Sequence, residues 1–256
     1  MISAETEARH FNRKRQTYCR IIDRPSPPAH NRPRLNHSAR PTVSVLSTDD
    51  VTLPPALERR WLAALSPARQ TQLLGWPDAR ARHRSLLGSR LLLYGLRAWG
   101  FAPQSLQSLH HPPQGKPTLD LPVDFSLSHC EGRVLCALSA IGAIGVDVES
   151  TTESMRAVDF RRYLSEAERY WAGDDPQRFY SLWTRKEAVV KATGSGLARL
   201  HEVQTTEDCR ARFDKRLWHT PAVSVGSQHV AHLAVLHPLT TLPLEQPRLE
   251  DLRQND

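Results

Sequence analysis

Residues 144–149 read Ile144-Gly145-Val146-Asp147-Val148-Glu149, with a β-branched apolar residue at every second position. Side chains of a strand alternate between its two faces. The spacing therefore predicts a strand, Ala143–Glu149, with Ile144, Val146 and Val148 turned to a core and Gly145, Asp147 and Glu149 on the other face. Asp147 and Glu149 would then stand about 6.6 Å apart at Cα. Carboxylates that close repel unless a cation or water lies between them, and oxygen ligands at this spacing suit a hard divalent ion such as Mg²⁺. A solvated strand face would carry the same pattern, so the stretch needs a partner before it means anything chemical.

Pro176 to Thr193 (PQRFYSLWTRKEAVVKAT) supplies a candidate. Phe179, Leu182, Trp183 and Val190 recur at helical spacing, and Lys186 and Glu187 fall where that apolar stripe should continue. A charge there is costly unless paired or bound to metal. Lys191 follows Glu187 by one turn, on the same face. An ordinary Glu187–Lys191 pair at the edge of a core is the alternative. Together the two segments offer three carboxylates (Asp147, Glu149, Glu187) and two lysines (Lys186, Lys191) that would converge on a metal-bound pyrophosphate. Mg²⁺ characteristically takes one or two carboxylates plus phosphate oxygens, and ammonium groups neutralise the remaining charge.

Working outward, Thr42–Ser47 alternates as a strand and Pro54–Leu65 has helical spacing through Leu57, Trp61 and Leu65. Ser66-Pro67 offers an N-cap followed by proline in the first turn of another helix. Asp78–Trp99 is a longer helix whose first turns hold Arg80, Arg82 and Arg84, against the macrodipole, which hints at an anion nearby. A loop at His110–Pro122 leads to strands at Asp124–His129 and Arg133–Ala140, turning at Glu131-Gly132. Met155–Gly194 is helical with breaks near Ser165 and Gly173. Strands follow at Ala222–Val225 and His229–Leu236, with no element assigned between 195 and 221. The order implies an α+β protein of two similar-sized halves, residues 41–145 and 146–238, with 1–40 as an arm and 239–256 as an irregular tail.

The two central segments, Gly145-Val146-Asp147-Val148-Glu149 and Phe179-Tyr180-x-Leu182-Trp183-x-x-Lys186-Glu187-Ala188-x-x-Lys191-Ala192-x-Gly194-x-Gly196-Leu197, resemble the signature of the 4′-phosphopantetheinyl transferases, in particular the surfactin-type branch with both halves in one chain. Gln114-Gly115-Lys116-Pro117, Phe125-Ser126-Leu127-Ser128-His129 and Arg84-Ser85-Leu86-Leu87-Gly88 resemble further segments of that family, so the likeness runs over about residues 42–236. It implies two α+β halves in pseudo-two-fold arrangement and transfer of the phosphopantetheine arm of coenzyme A to a serine of an apo acyl or peptidyl carrier protein, with release of 3′,5′-ADP. It implies Mg²⁺ on Asp147, Glu149 and Glu187, Lys191 on the phosphates, and Glu187 as the acceptor of the serine proton, directly or through water. It further implies His129 and Arg84 on the 3′-phosphate of the coenzyme, and Lys116, Pro117 and Ser128 beside its adenine nucleotide. The family usually offers two basic residues to the 3′-phosphate from the helix after Ser66-Pro67; here they are Arg69 and Gln72, so the resemblance implies Arg69 as a coenzyme-binding residue and Gln72 departs from the pattern. A monomer is implied as well.

Composition narrows the alternatives. Hydrophobic residues make up 39% and charged residues 24%, as in ordinary globular proteins. No apolar run is long enough to span a membrane, the N-terminus has no apolar signal region, and the cysteines are scattered, so a cytoplasmic protein with reduced thiols is expected. Residues 1–40 hold nine basic against three acidic residues, a net +6 of the chain's +7. The proline-rich arm, expected to be disordered, thus carries the basicity, and the nearly neutral body argues against a nucleic-acid partner. A nuclease of the D…E-x-K type would need a lysine two residues after Glu149, where Thr151 stands.

Overall fold

The computed structural model describes residues 42–112, 115–152, 157–242 and 244–254; the expected arm, 1–40, lies outside them, as does Gln114. Strand β1 (Val43–Asp49) leads into helices α1 (Pro55–Ala63), α2 (Pro67–Leu74) and α3 (Ala79–Ala98), then strands β2 (Asp124–Cys130), β3 (Arg133–Ser139) and β4 (Ile144–Ser150). A 3₁₀ turn at Ala157–Phe160 precedes α4 (Glu166–Ala172) and α5 (Pro176–Thr193). Short strands β5 (Gln204–Thr205), β6 (Arg210–Phe213), β7 (Arg216–His219) and β8 (Ala222–Val223) follow, then β9 (His229–Val235), β10 (Leu244–Glu245) and α6 (Leu249–Arg253).

Two sheets result, ordered β10-β1-β3-β2 and β4-β9-β7-β6-β5, with β8 on β9. Each half repeats one plan: a first strand, a long helix, and an antiparallel partner strand, β1–α3–β3 in one half and β4–α5–β9 in the other. Ile144, Val146 and Val148 pack against Val43, Val45, Leu135 and Ala137, so the inner faces of the two sheets share one apolar core. Helix α3 covers the outer face of the first sheet through Leu86, Leu87, Leu91 and Leu92. Helix α5 covers the outer face of the second, with Val189 and Val190 beside Leu200, Phe213 and Trp218. Alternation along β4 therefore sends its apolar residues between the sheets and its carboxylates outward beneath α5.

Local chemistry explains the main elements. Asp78 caps α3 by accepting from the Arg80 N–H at 2.8 Å, and Asp175 caps α5 by accepting from Gln177 and Arg178 at 2.9 and 3.3 Å, with Pro176 in the first turn. Gly194 ends α5 at φ 69°, the left-handed conformation that glycine adopts without strain. Ser66 occupies its expected cap position, but its side chain makes no capping bond. The arginines of α3 already have anionic partners within the protein: Arg80 and Arg84 share the Asp50 carboxylate at 3.0 and 2.8 Å, and Arg82 meets Glu58 at 3.3 Å.

Three expectations need correction. The tail is not wholly irregular. β10 adds to β1 in parallel, α6 buries Leu252 in the first half's core, and Thr48 Oγ1 donates to the Pro247 carbonyl at 2.9 Å. A short proline-containing segment carries too little periodicity to announce a two-residue strand. The boundary drawn at 145/146 falls inside β4, which begins at Ile144. The unassigned stretch holds the β6–β7 hairpin, closed by Asp214 and Lys215 at φ 49° and 60°; without glycine the turn gave no signal.

Candidate metal and phosphate site

Asp147, Glu149 and Glu187 come together. Each offers a carboxylate oxygen, and these oxygens lie within 4.8 Å of one another. Strand β4 places the first two, and α5 lays the third over them. The close approach depends on Gly145: a Cβ there would stand 1.9 Å from the Ala188 carbonyl oxygen and 2.7 Å from the Ala192 nitrogen. Glycine is thus required where strand and helix backbones touch.

Lys191 completes the group. Its ammonium donates to Asp147 Oδ1, lies 2.9 Å from Ser128 Oγ, and stands 3.5 Å from Glu187. Ser128 in turn donates to Asp147 Oδ1 at 2.8 Å. Asp147 is 1% exposed, and its other oxygen, Oδ2, is buried with no hydrogen-bond partner. A buried carboxylate oxygen without a partner is expensive, and a cation beside it removes the cost. The all-oxygen donor set and this orphaned atom fit a hard divalent ion such as Mg²⁺.

The electrostatics agree. Burial first, then Asp147 and Glu187, push the Glu149 carboxyl up to about 7. Burial and Asp147 push Glu187 up to about 7 as well, against the pull of Lys191. Burial works against the Lys191 ammonium, yet Asp147 and Glu187 together raise it above its ordinary value. Uncompensated negative charge is therefore concentrated at this point. The Trp183 indole, one turn before Glu187, draws both the Glu149 and the Glu187 carboxyl downward, against their burial. Sequence reasoning took it only for core, because the apolar ring dominates its pattern and the N–H leaves no trace.

A cavity of about 300 Å³ adjoins the cluster, walled by Lys116, Pro117, Ser126, Glu187, Val190 and Lys191. The Lys116 ammonium does not point freely into it, being held by Asp124 Oδ2 at 2.5 Å and the Ile144 carbonyl at 2.6 Å. His129 is exposed at the end of β2; partial desolvation, with Lys191 and Arg84 nearby, lowers its imidazole below the ordinary value. Arg84 is engaged by Asp50. Arg69, 8% exposed, is enclosed in the first half, where it meets Gln72 at 2.5 Å, Ser85 at 2.8 Å and the Trp76 ring.

Lys186 does not converge with the others. It is 1% exposed and turns to the far side of α5, pairing with Glu168 at 3.0 Å and donating to the carbonyls of Val203 and Tyr163 at 2.7 and 3.1 Å. Neighbouring residues of a helix point about 100° apart, so Lys186 and Glu187 cannot serve one site. The expectation that both lysines converge with the carboxylates is corrected: Lys191 does, and Lys186 does not.

Comparison with known proteins bears on the same residues. The family model described as the 4′-phosphopantetheinyl transferase superfamily matches residues 143–237. The chain is 28% identical over 141 residues to 4′-phosphopantetheinyl transferase gsp of Aneurinibacillus migulanus, covering 52% of this chain and 57% of that one. It is 33% identical over 132 residues to 4′-phosphopantetheinyl transferase HetI of Nostoc, 47% of this chain and 52% of that one. It is 29% identical over 146 residues to 4′-phosphopantetheinyl transferase Sfp of Bacillus subtilis, 54% of this chain and 64% of that one. The chain thus spans about half the length of the curated relatives it matches.

Proposed function

The chain belongs to the 4′-phosphopantetheinyl transferase superfamily through residues 143–237, and on that footing we propose that it transfers the phosphopantetheine arm of coenzyme A to a serine of an apo carrier protein. The observation that carries the reading is the convergence of Asp147, Glu149 and Glu187 around a buried, partnerless oxygen, with Lys191 beside them on the wall of an open cavity.

Asp147, Glu149 and Glu187 would hold Mg²⁺, which supplies charge neutralisation at the pyrophosphate of the coenzyme. Lys191, fixed by Ser128 and Asp147, presents a second positive charge toward the same phosphates without reorganising during reaction. The serine hydroxyl of the carrier attacks the β-phosphorus. A new O–P bond forms, the bond to the bridging oxygen breaks, and 3′,5′-ADP leaves with that electron pair. Glu187, on the cavity side of the cluster, takes the hydroxyl proton directly or through one water. The Lys116-Pro117 loop and Ser128 flank the nucleotide. His129 and Arg84 face its 3′-phosphate, Arg84 exchanging part of its contact with Asp50. Arg69, enclosed in the first half, acts on the coenzyme indirectly: it braces Ser85, next to Arg84, on α3.

The test is mass spectrometry of a panel of apo carriers incubated with coenzyme A and Mg²⁺. The expected result is a carrier bearing the added arm, and Asp147→Asn should lower the rate by more than about a hundredfold in a folded protein, since it removes a ligand rather than a supporting group. No modified carrier in the panel, or wild-type transfer by the variant, would sink the reading.

A further inference from the structure

Strand β2 is the edge of the first sheet and β4 the edge of the second. They lie side by side, yet among the described residues no backbone ladder joins them. Side chains do so instead. Asp124 Oδ2 accepts from the Ile144 N–H at 2.8 Å, Ser126 Oγ from Val146 at 3.1 Å, and Ser128 Oγ from Val148 at 3.3 Å. Acceptors and donors are alternate residues of their strands, each pair 20 positions apart. The three acceptors share the face of β2 that looks between the sheets, opposite Ser139, Ala137 and Leu135 of β3. One strand edge has thus been given a row of hydroxyl and carboxylate oxygens in place of carbonyls, which satisfies buried N–H groups that would otherwise go unpaired.

Both ends of this seam run into the candidate site. At the first rung, Lys116 of the cavity wall grips both Asp124 and the Ile144 carbonyl. At the last, Ser128 Oγ accepts from Val148 and Lys191 and donates to Asp147, which uses its single donor and both lone pairs. The middle rung alone touches neither the carboxylates nor a lysine.

We propose that Ser126 is a positioning residue for the metal ligands. Its hydroxyl sets how far β4 lies from β2, and so where Asp147 and Glu149 stand relative to Lys191 and the cavity. The proposal rests on the metal reading above. Loss of the oxygen leaves the Val146 N–H buried without an acceptor, and the strand answers by shifting between the rungs that remain. Since β4 carries the two carboxylates on the residues flanking Val148, that shift moves the ligands.

The test measures Mn²⁺ binding to the whole protein without substrate, from the resonance signal of free Mn²⁺. Ser126→Ala should weaken binding about tenfold, as loss of a supporting hydrogen bond does at other metal sites, and Ser126→Thr, which keeps the hydroxyl, should restore it. In transfer assays the Mg²⁺ concentration for half-maximal rate should rise for Ser126→Ala, while KM for coenzyme A at saturating Mg²⁺ stays put; a merely damaged cavity wall would move KM instead. If Ser126→Ala does not fold, Ser126→Cys, of nearly equal volume but a weak acceptor, must show the same weakening. Unchanged Mn²⁺ affinity in Ser126→Ala, or in Ser126→Cys where the alanine variant fails to fold, overturns the proposal, as does failure of threonine to restore binding. A wild-type protein that binds no Mn²⁺ instead overturns the metal reading, and the proposal with it.

Discussion

Glu149 and Glu187 both hold their protons up to about 7, against an ordinary value of 4.5. In the metal-free protein these two groups therefore bind more protons in the folded state than in the unfolded chain between these limits. These two carboxyls make stability fall as pH rises through that window, while the imidazoles of His232 and His111, held down to about 3 and about 4 by burial above all, act in the opposite sense below about pH 6.5. Denaturant titrations of metal-free protein at about pH 5 and about pH 8 should therefore show a more favourable change of midpoint with rising pH in Glu149→Gln than in the wild type, with saturating Mg²⁺ narrowing the gap between the two. The same pH dependence in both proteins would mean that the cluster is not the electrostatic liability described. Lys186 makes the contrasting case. Burial lowers its ammonium, Glu168 pulls it back up, and Glu168 is itself held below its ordinary range against its own burial, by Lys186 above all. The pair is structural, tying α5 to α4, and Thr205 and the Ser165 N–H also donate to the Glu168 carboxylate. Lys186→Met strands a buried carboxylate and should cost about 3–5 kcal/mol in urea unfolding. Loss of transfer with undiminished stability would instead return Lys186 to the phosphates.

At the scale of elements, the site is a contact between one strand and one helix, and Gly145 sets their separation. Gly145→Ala drives a methyl group into the Ala188 carbonyl. Overpacking of this kind costs about 1–3 kcal/mol or more, and backbone atoms cannot rotate aside as a side chain can. Strand β4 and helix α5 must part, which carries Glu187 away from Asp147 and Glu149. The expected outcome is a lowered melting temperature together with weakened Mn²⁺ binding; unaltered binding would show that the carboxylates tolerate a wider gap. These elements were largely legible. The D-x-E alternation placed β4, and the stripe Phe179, Leu182, Trp183, Val190 placed α5, because both are long and strongly periodic. The seam of Asp124, Ser126 and Ser128 was not legible as a seam: the same alternation reads equally well as a half-solvated strand.

For the molecule as a whole, the two halves are held together by the shared core between the sheets and by the chain's own end. β10 extends the first sheet, and α6 docks Leu252, fully buried, where Arg90 of α3 reaches its carbonyl at 3.4 Å. The segment that follows the second half thus closes the first. Leu252→Ala should lower stability by about 2–5 kcal/mol, read from the denaturant midpoint with the slope of the transition unchanged. An effect within about 0.5 kcal/mol, as at surface positions, would mean that the tail is only laid on the surface.

The sequence by itself determined the elements that carry strong periodicity and the residue types available for chemistry. A strand must present Asp147 and Glu149 on one face, and a helix must present Glu187 and Lys191 on another, because the repeats of 2 and 3.6 residues are properties of the backbone alone. Only the tertiary structure decided which of those groups share a place. It sent Lys186 to Glu168 and Lys191 to Asp147, engaged Lys116 and Arg84 with aspartates, enclosed Arg69, and gave Ser126 a partner on another sheet. Those outcomes depend on how far apart two elements pack and how they are rotated about their axes, which is settled by contacts between residues distant in the chain.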